Sequence, residues 1–222
     1  MTPSDLPKEL PIFPLGGVLL LPRSDLPLNI FEPRYLAMVT DALKGARMIG
    51  MVQPDTPEGL KAERDPMAAP TVYGVGCAGR ITSFAETPDG RILIVLTGIC
   101  RFRIRREIEP RTTPYRIVEP DYESFLGDLD EGPTSINLDR SELQRSFDEL
   151  LGHHNMQLDW SEIGEATDED LINVLAMMSP YSPQEKQALL EAPDLAARAE
   201  VLSALTDIAL AEMKGQTRRL LN

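Results

Sequence analysis

One change of hydrophobic period constrains this chain more than any other feature. Up to about residue 120 the apolar residues come in short runs, and where they alternate they do so every second residue; beyond about residue 133 they recur every three or four. Successive strand side chains point to opposite faces, whereas a helix gathers i, i+3 and i+4 on one side. Strand text in one block and helix text in another argues against repeated βαβ units and predicts the α+β class. Cys100–Ile108 is a clear case of the first pattern. Phe102, Ile104 and Ile108 fall on one face, and Arg101, Arg103 and Arg105 on the other. A charged row opposite an apolar one predicts a half-solvated strand.

Pro and Gly punctuate the first block. Leu10–Leu15, Val18–Pro22 and Leu26–Phe31 read as extended pieces starting or ending at a sheet edge. A helix follows, with Pro33 at its first position, a stripe of Tyr35, Leu36, Val39 and Leu43, and Gly45 at C′. Met48–Val52 is the next predicted strand, and 54–70 a surface loop. Val72–Glu86, Arg91–Leu96, Cys100–Ile108 and Tyr115–Val118 are further strands, the first two joined by an Asp89-Gly90 turn. Residues 121–133 read as an acidic linker. Beyond it, Asp139, Thr167 and Ser182 are predicted helix N-caps, the last with Pro183 and Glu185 completing a capping box. A final helix over 194–214 carries Leu195, Leu202, Leu205 and Ile208 on its core face. The expected division is 1–125, a β domain with one helix, and 126–222, an acidic helical domain.

Charge divides the chain at the same place. Residues 1–120 hold 15 Lys and Arg against 14 Asp and Glu; residues 121–222 hold 7 against 21, which together give the net −13. A half at −14 repels a phosphate backbone, so nucleic acid is not an expected partner. The two cysteines, Cys77 and Cys100, lie in apolar strand text and are expected to be buried thiols in a reducing compartment. No apolar signal region opens the sequence, and Val18–Leu21 is too short to span a bilayer, so a cytoplasmic protein with no membrane partner is expected.

Gly74–Gly79 matches G-x-G-x-x-G, but strand text follows where a dinucleotide site needs a helix N-terminus. Its glycines are expected to mark bulges or tight bends. The sequence contains no phosphate-binding G-x-x-x-x-G-K-[ST] and no G-x-S-x-G. None of Lys8, Lys44, Lys61, Lys186 and Lys214 sits in a stretch apolar enough to make it a base. His153 and His154 are adjacent at a helix end and do not converge on a metal. The cluster Arg101, Arg103, Arg105 and Arg106 reads as a solvated strand face. No cofactor, metal or catalytic residue is expected.

An ordered series of landmarks resembles the N-terminal, substrate-binding domain of the Lon protease family. The series is Pro11-Ile12-Phe13-Pro14-Leu15, Val18–Pro22, Leu26–Tyr35, Ile49–Val52, Gly74–Ile81, Pro88–Arg91 and Leu96–Phe102, then Ser182–Glu191 and Asp194–Arg198. The resemblance covers about residues 9–213. It implies a PUA-like β pseudo-barrel followed by a C-terminal helical bundle, and a stand-alone binding module for unfolded or apolar polypeptide segments, without the ATPase and Ser-Lys protease domains of Lon. It suggests partnership with a protease or ATPase machine, as a quality-control adaptor, and leaves self-association open. Phe31, Arg34 and Tyr35, at the strand-to-helix junction, are the candidate contact residues; the competing reading makes Phe31 and Tyr35 plain core. An RNA-binding barrel and a small hydrolase with an unrecognised site are the alternatives.

Overall fold

The computed structural model describes residues 1–56, 70–109, 112–130, 135–163 and 166–220, with side chains for all of these except 162 and 216–220. The chain forms two compact units, Met1–Glu131 and Gly132–Asn222. The first contains β1 (Leu10–Pro14), β2 (Asp25–Ile30), α1 (Pro33–Lys44), β3 (Met48–Val52), β4 (Val75–Glu86), β5 (Ile92–Glu107) and β6 (Arg116–Asp121). The second contains α2 (Arg140–His153), α3 (Trp160–Ile163), α4 (Asp168–Met178), α5 (Pro183–Glu191) and α6 (Leu195–Leu220).

The six strands form one sheet in the order β2-β5-β4-β3-β1-β6, and β5 also pairs with β6. That extra pairing closes five strands on one another and leaves β2 outside the ring. The result is a pseudo-barrel with a flap, not a clean barrel. All pairings are antiparallel except β1 with β3. β5 serves both parts because it is 16 residues long. Its first half pairs with β2 and β4, and its second half with β4 and β6.

Sequence reading expected two strands broken at Gly98; the structure has one, bulged there. Ala78 pairs with Cys100 but Gly79 with Gly98, so β5 carries one extra residue. A bulge bends a strand and increases its twist. Gly98 is required by a close approach: a Cβ there would lie 2.0 Å from the Leu21 carbonyl oxygen. Residues 18–22, expected as a strand, form no ladder. Leu19, Leu20 and Leu21 are nevertheless all buried. Three consecutive buried side chains do not fit a strand with one wet face, and the segment instead folds inward as an irregular core strap. The Ser24 N–H donates to Leu21 O at 3.2 Å, and Arg23 takes a positive φ of 65°. After α1 the left-handed residue is Arg47 (φ 57°), not Gly45 (φ −117°). The Arg47 N–H donates to Ala42 O at 2.9 Å.

Much of the expected linker belongs to the β unit. Glu123–Leu129 is a 3-10 segment that buries Phe125. Asp128 on it accepts from the Arg101 backbone N–H, Nε and Nη2, each at 2.9 Å. The Arg101 guanidinium lies 4.6 Å from the Phe125 ring centroid. Arg101 is therefore buried, contrary to the solvated face expected of it; a carboxylate brought by the following segment offsets the cost of desolvating it.

In the helical unit the N-caps fall where the sequence places them. Asp139, Thr167 and Ser182 side chains accept from Glu142, Asp170 and Glu185 N–H, and Ser182 with Glu185 forms the full box. The core is Leu143, Phe147, Leu150 and Leu151 of α2, Leu171, Ile172 and Leu175 of α4, Leu189 and Leu190 of α5, and Leu195, Leu202 and Leu210 of α6. Ile208 is not in it, at 53% exposure. The α6 stripe runs instead from Leu202 through Thr206 to Leu210, two steps of four. Thr206 tolerates burial because its hydroxyl bonds Leu202 O and the Tyr181 hydroxyl. Lys186 also corrects the sequence reading. It is buried, donates to the Met177 carbonyl at 3.1 Å, and desolvation lowers its pKa. From α5 it reaches the last turn of α4 and so caps that helix's C-terminus.

Cys77 and Cys100 are both buried free thiols on neighbouring strands. Burial, then the Asp128 charge, pushes the Cys100 thiol up to about 12. In the native protein at pH 8, alkylation of both thiols is expected to be more than about tenfold slower than in urea. Mass spectrometry of iodoacetamide-treated protein checks this, and rapid native labelling of either residue would contradict the packing.

Candidate functional site

The exposed end of the flap follows from the register of β2, β5 and β4. Residues directly opposite in neighbouring strands share a face. Pro27, Val95 and Ser83 form one row; Asn29, Leu93 and Ala85 form the next. Together they line a shallow groove of about 440 Å³ with Leu28 and Ile94. Leu93 is 45% exposed. On the opposite face Ile92 and Ile94 are buried, but Phe84, paired with Ile94, is 51% exposed. Phe31, immediately after β2, is 62% exposed. Apolar side chains thus remain uncovered on both faces of the flap. A patch of this kind marks an interaction surface more often than a scattered exposed leucine does.

The outer edge of β2 is poorly suited to adding a strand. The Gly98 N–H donates to Ser24 O at 2.9 Å, which fixes the phase of the β2–β5 ladder. Leu26, Leu28 and Ile30 then turn their backbone groups toward β5, while Asp25, Pro27 and Asn29 turn theirs outward. Pro27 has no N–H, so the edge lacks its central donor and is blunted against strand addition. What the flap offers is a side-chain surface.

The three residues singled out in the sequence have different positions. Phe31 is out in solvent beside the flap, which is not the core placement of the competing reading. Tyr35 is buried, its ring 4.1 Å from that of Phe13, centroid to centroid. Arg34 lies over the Tyr35 ring at 4.6 Å and bonds Glu32 through Nε at 3.0 Å. The junction therefore presents Phe31 outward, while Tyr35 fastens α1 to β1 and Arg34 lies over the Tyr35 ring. Phe84, Leu93, Ala85 and Pro27 were missed by sequence reading. The signal for them was Ile92–Leu96, an apolar run with no polar alternate, which means that both faces of that strand are apolar.

The basic cluster is neutralised where it stands. Arg105 bonds Glu119 and Asp121, and Arg106 bonds Glu119. The Glu123 backbone N–H, then Arg105, holds the Asp121 carboxyl below the usual range. With Arg101 on Asp128 as well, this strand offers a phosphate backbone little uncompensated charge. Among the described residues no group of three or more His, Cys, Asp or Glu is placed to hold a metal ion.

Residues 9–207 match the family model of the ATP-dependent protease La (LON) substrate-binding domain. The chain belongs to that family. Two similar full-length relatives are Lon protease of Anaeromyxobacter dehalogenans (strain 2CP-C) and Lon protease 2 of Myxococcus xanthus. Each is 28% identical over 203 residues, which is 89% of this chain and 23% of the relative. The chain thus spans about a quarter of the length of the Lon proteases it matches. Two solved structures share the fold. A Lon N-terminal domain protein from Xanthomonas campestris has TM-score 0.57 and 23% identity, over 88% of this chain and 97% of that one. The N-terminal domain of Mycobacterium avium complex Lon protease has TM-score 0.59 and 17% identity, over 90% and 98%. The part of Lon matched is the substrate-binding one, not the catalytic one, and the exposed flap lies within it.

Proposed function

We propose that this chain is a non-catalytic, cytoplasmic polypeptide-binding module of two domains that holds apolar segments of unfolded proteins on the β2–β5–β4 flap and serves a protease or ATPase machine as an adaptor. The observation that carries this reading is the exposure of Leu93 in the 440 Å³ groove, together with that of Phe84 on the other face of the flap and of Phe31 just after β2. The family's role, substrate binding, supports it. The blunted β2 edge favours recognition by side chains over strand pairing, which suits clients of varied sequence. No helix of the described residues is long and apolar enough to cross a membrane. The neutralised arginines and the acid of the second half weigh against RNA.

The test uses the full chain and a chemically unfolded client whose aggregation is followed by light scattering. Burying one such side chain stabilises a complex by roughly 1.5–3 kcal/mol. Phe31→Ser with Leu93→Ser is therefore expected to weaken client binding by at least about tenfold. Both side chains are exposed, so the thermal midpoint should stay within about 2 °C of the parent. If the double variant suppresses aggregation as well as the parent does, the flap is not the binding surface.

A further inference from the structure

The helical unit has a cleft of its own, about 660 Å³, within the ordinary range of ligand sites, on the order of 300–1,000 Å³. One wall is the start of α2 with residues 136–139; the other is a single face of α6. Along α6 the lining positions 196, 199, 203 and 206 follow helical spacing, and Ala196, Ala199 and Ser203 are small enough to leave the space open. Ile136, Leu138 and Leu143 supply apolar floor from the other side. The rim is acidic. Asp139, Glu142, Glu200 and Asp207 are all exposed. The side chains of Glu142, Glu200 and Asp207 have no cationic partner among the described residues. The unit's described cations have other contacts: Arg145 is exposed and donates through Nε to the Ser141 carbonyl at 3.2 Å. Arg140 sits on Asp168, Lys214 on Glu149, and Lys186 and Arg198 are buried on backbone carbonyls.

We infer that this cleft docks a basic amphipathic helix of a protein partner, its apolar side chains on the floor and its lysines or arginines against the four carboxylates. The cleft lies between helices and has no strand edge, so an incoming helix packs against it by the same ridge-and-groove geometry that joins helices within a domain. Charge complementarity selects the partner. Residues 121–222 carry a net −14, and an acidic or neutral helix gains nothing from that rim. A second copy of this chain is a poor occupant. Val174 and Ile208, the large apolar side chains exposed on its own α4 and α6, stand beside Asp170 and Asp207. The inference stands apart from the flap, since different residues in the other unit carry it.

The test measures anisotropy of a fluorescein-labelled synthetic helix with leucines at i, i+3, i+4 and i+7 flanked by lysines, titrated with the full chain. Glu142→Gln/Glu200→Gln/Asp207→Asn is expected to weaken binding by at least about tenfold. Glu86→Gln/Glu123→Gln/Glu212→Gln, with the same charge change outside the cleft, should stay within about twofold. Ser203→Trp, which fills the cleft from an exposed position, should also abolish binding. Phe31→Ser/Leu93→Ser should leave it unchanged, which separates this site from the flap. The inference is overturned if the peptide does not bind, if a scrambled peptide of equal charge binds as well, if the two triple variants weaken equally, or if the flap variant alone loses binding.

Discussion

Asp128→Ala is expected to destabilise the β unit by about 3–5 kcal/mol, the usual cost of removing one partner of a buried ion pair. The Arg101 side chain is 4% exposed and that of Asp128 10%. The carboxylate accepts from three Arg101 donors, one of them the backbone N–H. Its loss strands a guanidinium between Phe125 and the barrel wall, where water cannot fully replace the missing acceptor. The segment is then held by the buried Phe125 and by Arg23, whose Nη1 donates to Asp128 O at 2.7 Å. The measurement is hydrogen exchange at β5 and β6 amides across a urea series. The lone tryptophan, Trp160, lies in the helical unit and reports on that instead. Arg101→Met with Asp128→Asn should recover most of the loss, because no charge is left buried and the amide oxygen can still accept the residue 101 N–H. A cost below about 1 kcal/mol for Asp128→Ala would mean that Phe125 and the Arg23 bond suffice to hold the 3-10 segment.

Elements whose signals are local were legible in the sequence. The capped helices of the second unit, the helix after Pro33, and the Asp89-Gly90 turn each follow from a few adjacent residues. What was not legible depends on contacts far apart in the chain. Arg101 looks solvated because it alternates with Phe102. Its burial depends on Asp128, 27 residues later. Leu19–Leu21 look like a strand because three leucines suit one, yet their place is set by the backbone of β5 at Gly98. Ile208 fits a helical stripe, but Thr206 takes the inner position because Tyr181 is there to receive its hydroxyl. The candidate site was half legible for the same reason. Phe31 stands out beside a Pro-punctuated strand. Leu93 and Phe84 are hidden in text that reads as ordinary core. Only the placement of β2 outside the closed ring leaves them uncovered.

Phe102→Ala is the other large effect, about 3–5 kcal/mol for a fully buried aromatic. The ring's surroundings allow a sharper prediction than a cavity cost. A Cβ on Gly50 would lie 2.8 Å from the Phe102 ring tip and 2.8 Å from Leu10 Cδ2, both side-chain atoms. A Cβ on Gly76 would also lie 2.8 Å from that ring tip, but it would lie 2.6 Å from the Met51 carbonyl oxygen as well. Both glycines make room for the ring, yet only Gly50 does so against side chains alone. In the parent, Gly50→Ala and Gly76→Ala are each expected to destabilise by about 1–3 kcal/mol through overpacking. In the Phe102→Ala background the first cost should largely vanish, since the new methyl enters the cavity and Leu10 can turn aside. The second should persist, because the Met51 backbone cannot yield. Double-mutant cycles on urea midpoints measure the two coupling energies, expected to be above about 1 kcal/mol for Gly50 and below about 0.5 kcal/mol for Gly76. Equal couplings would mean that the ring, not the β3 backbone, is what excludes a side chain at Gly76. The second glycine of the G-x-G-x-x-G match would then be there for aromatic packing rather than for the close approach of two strands.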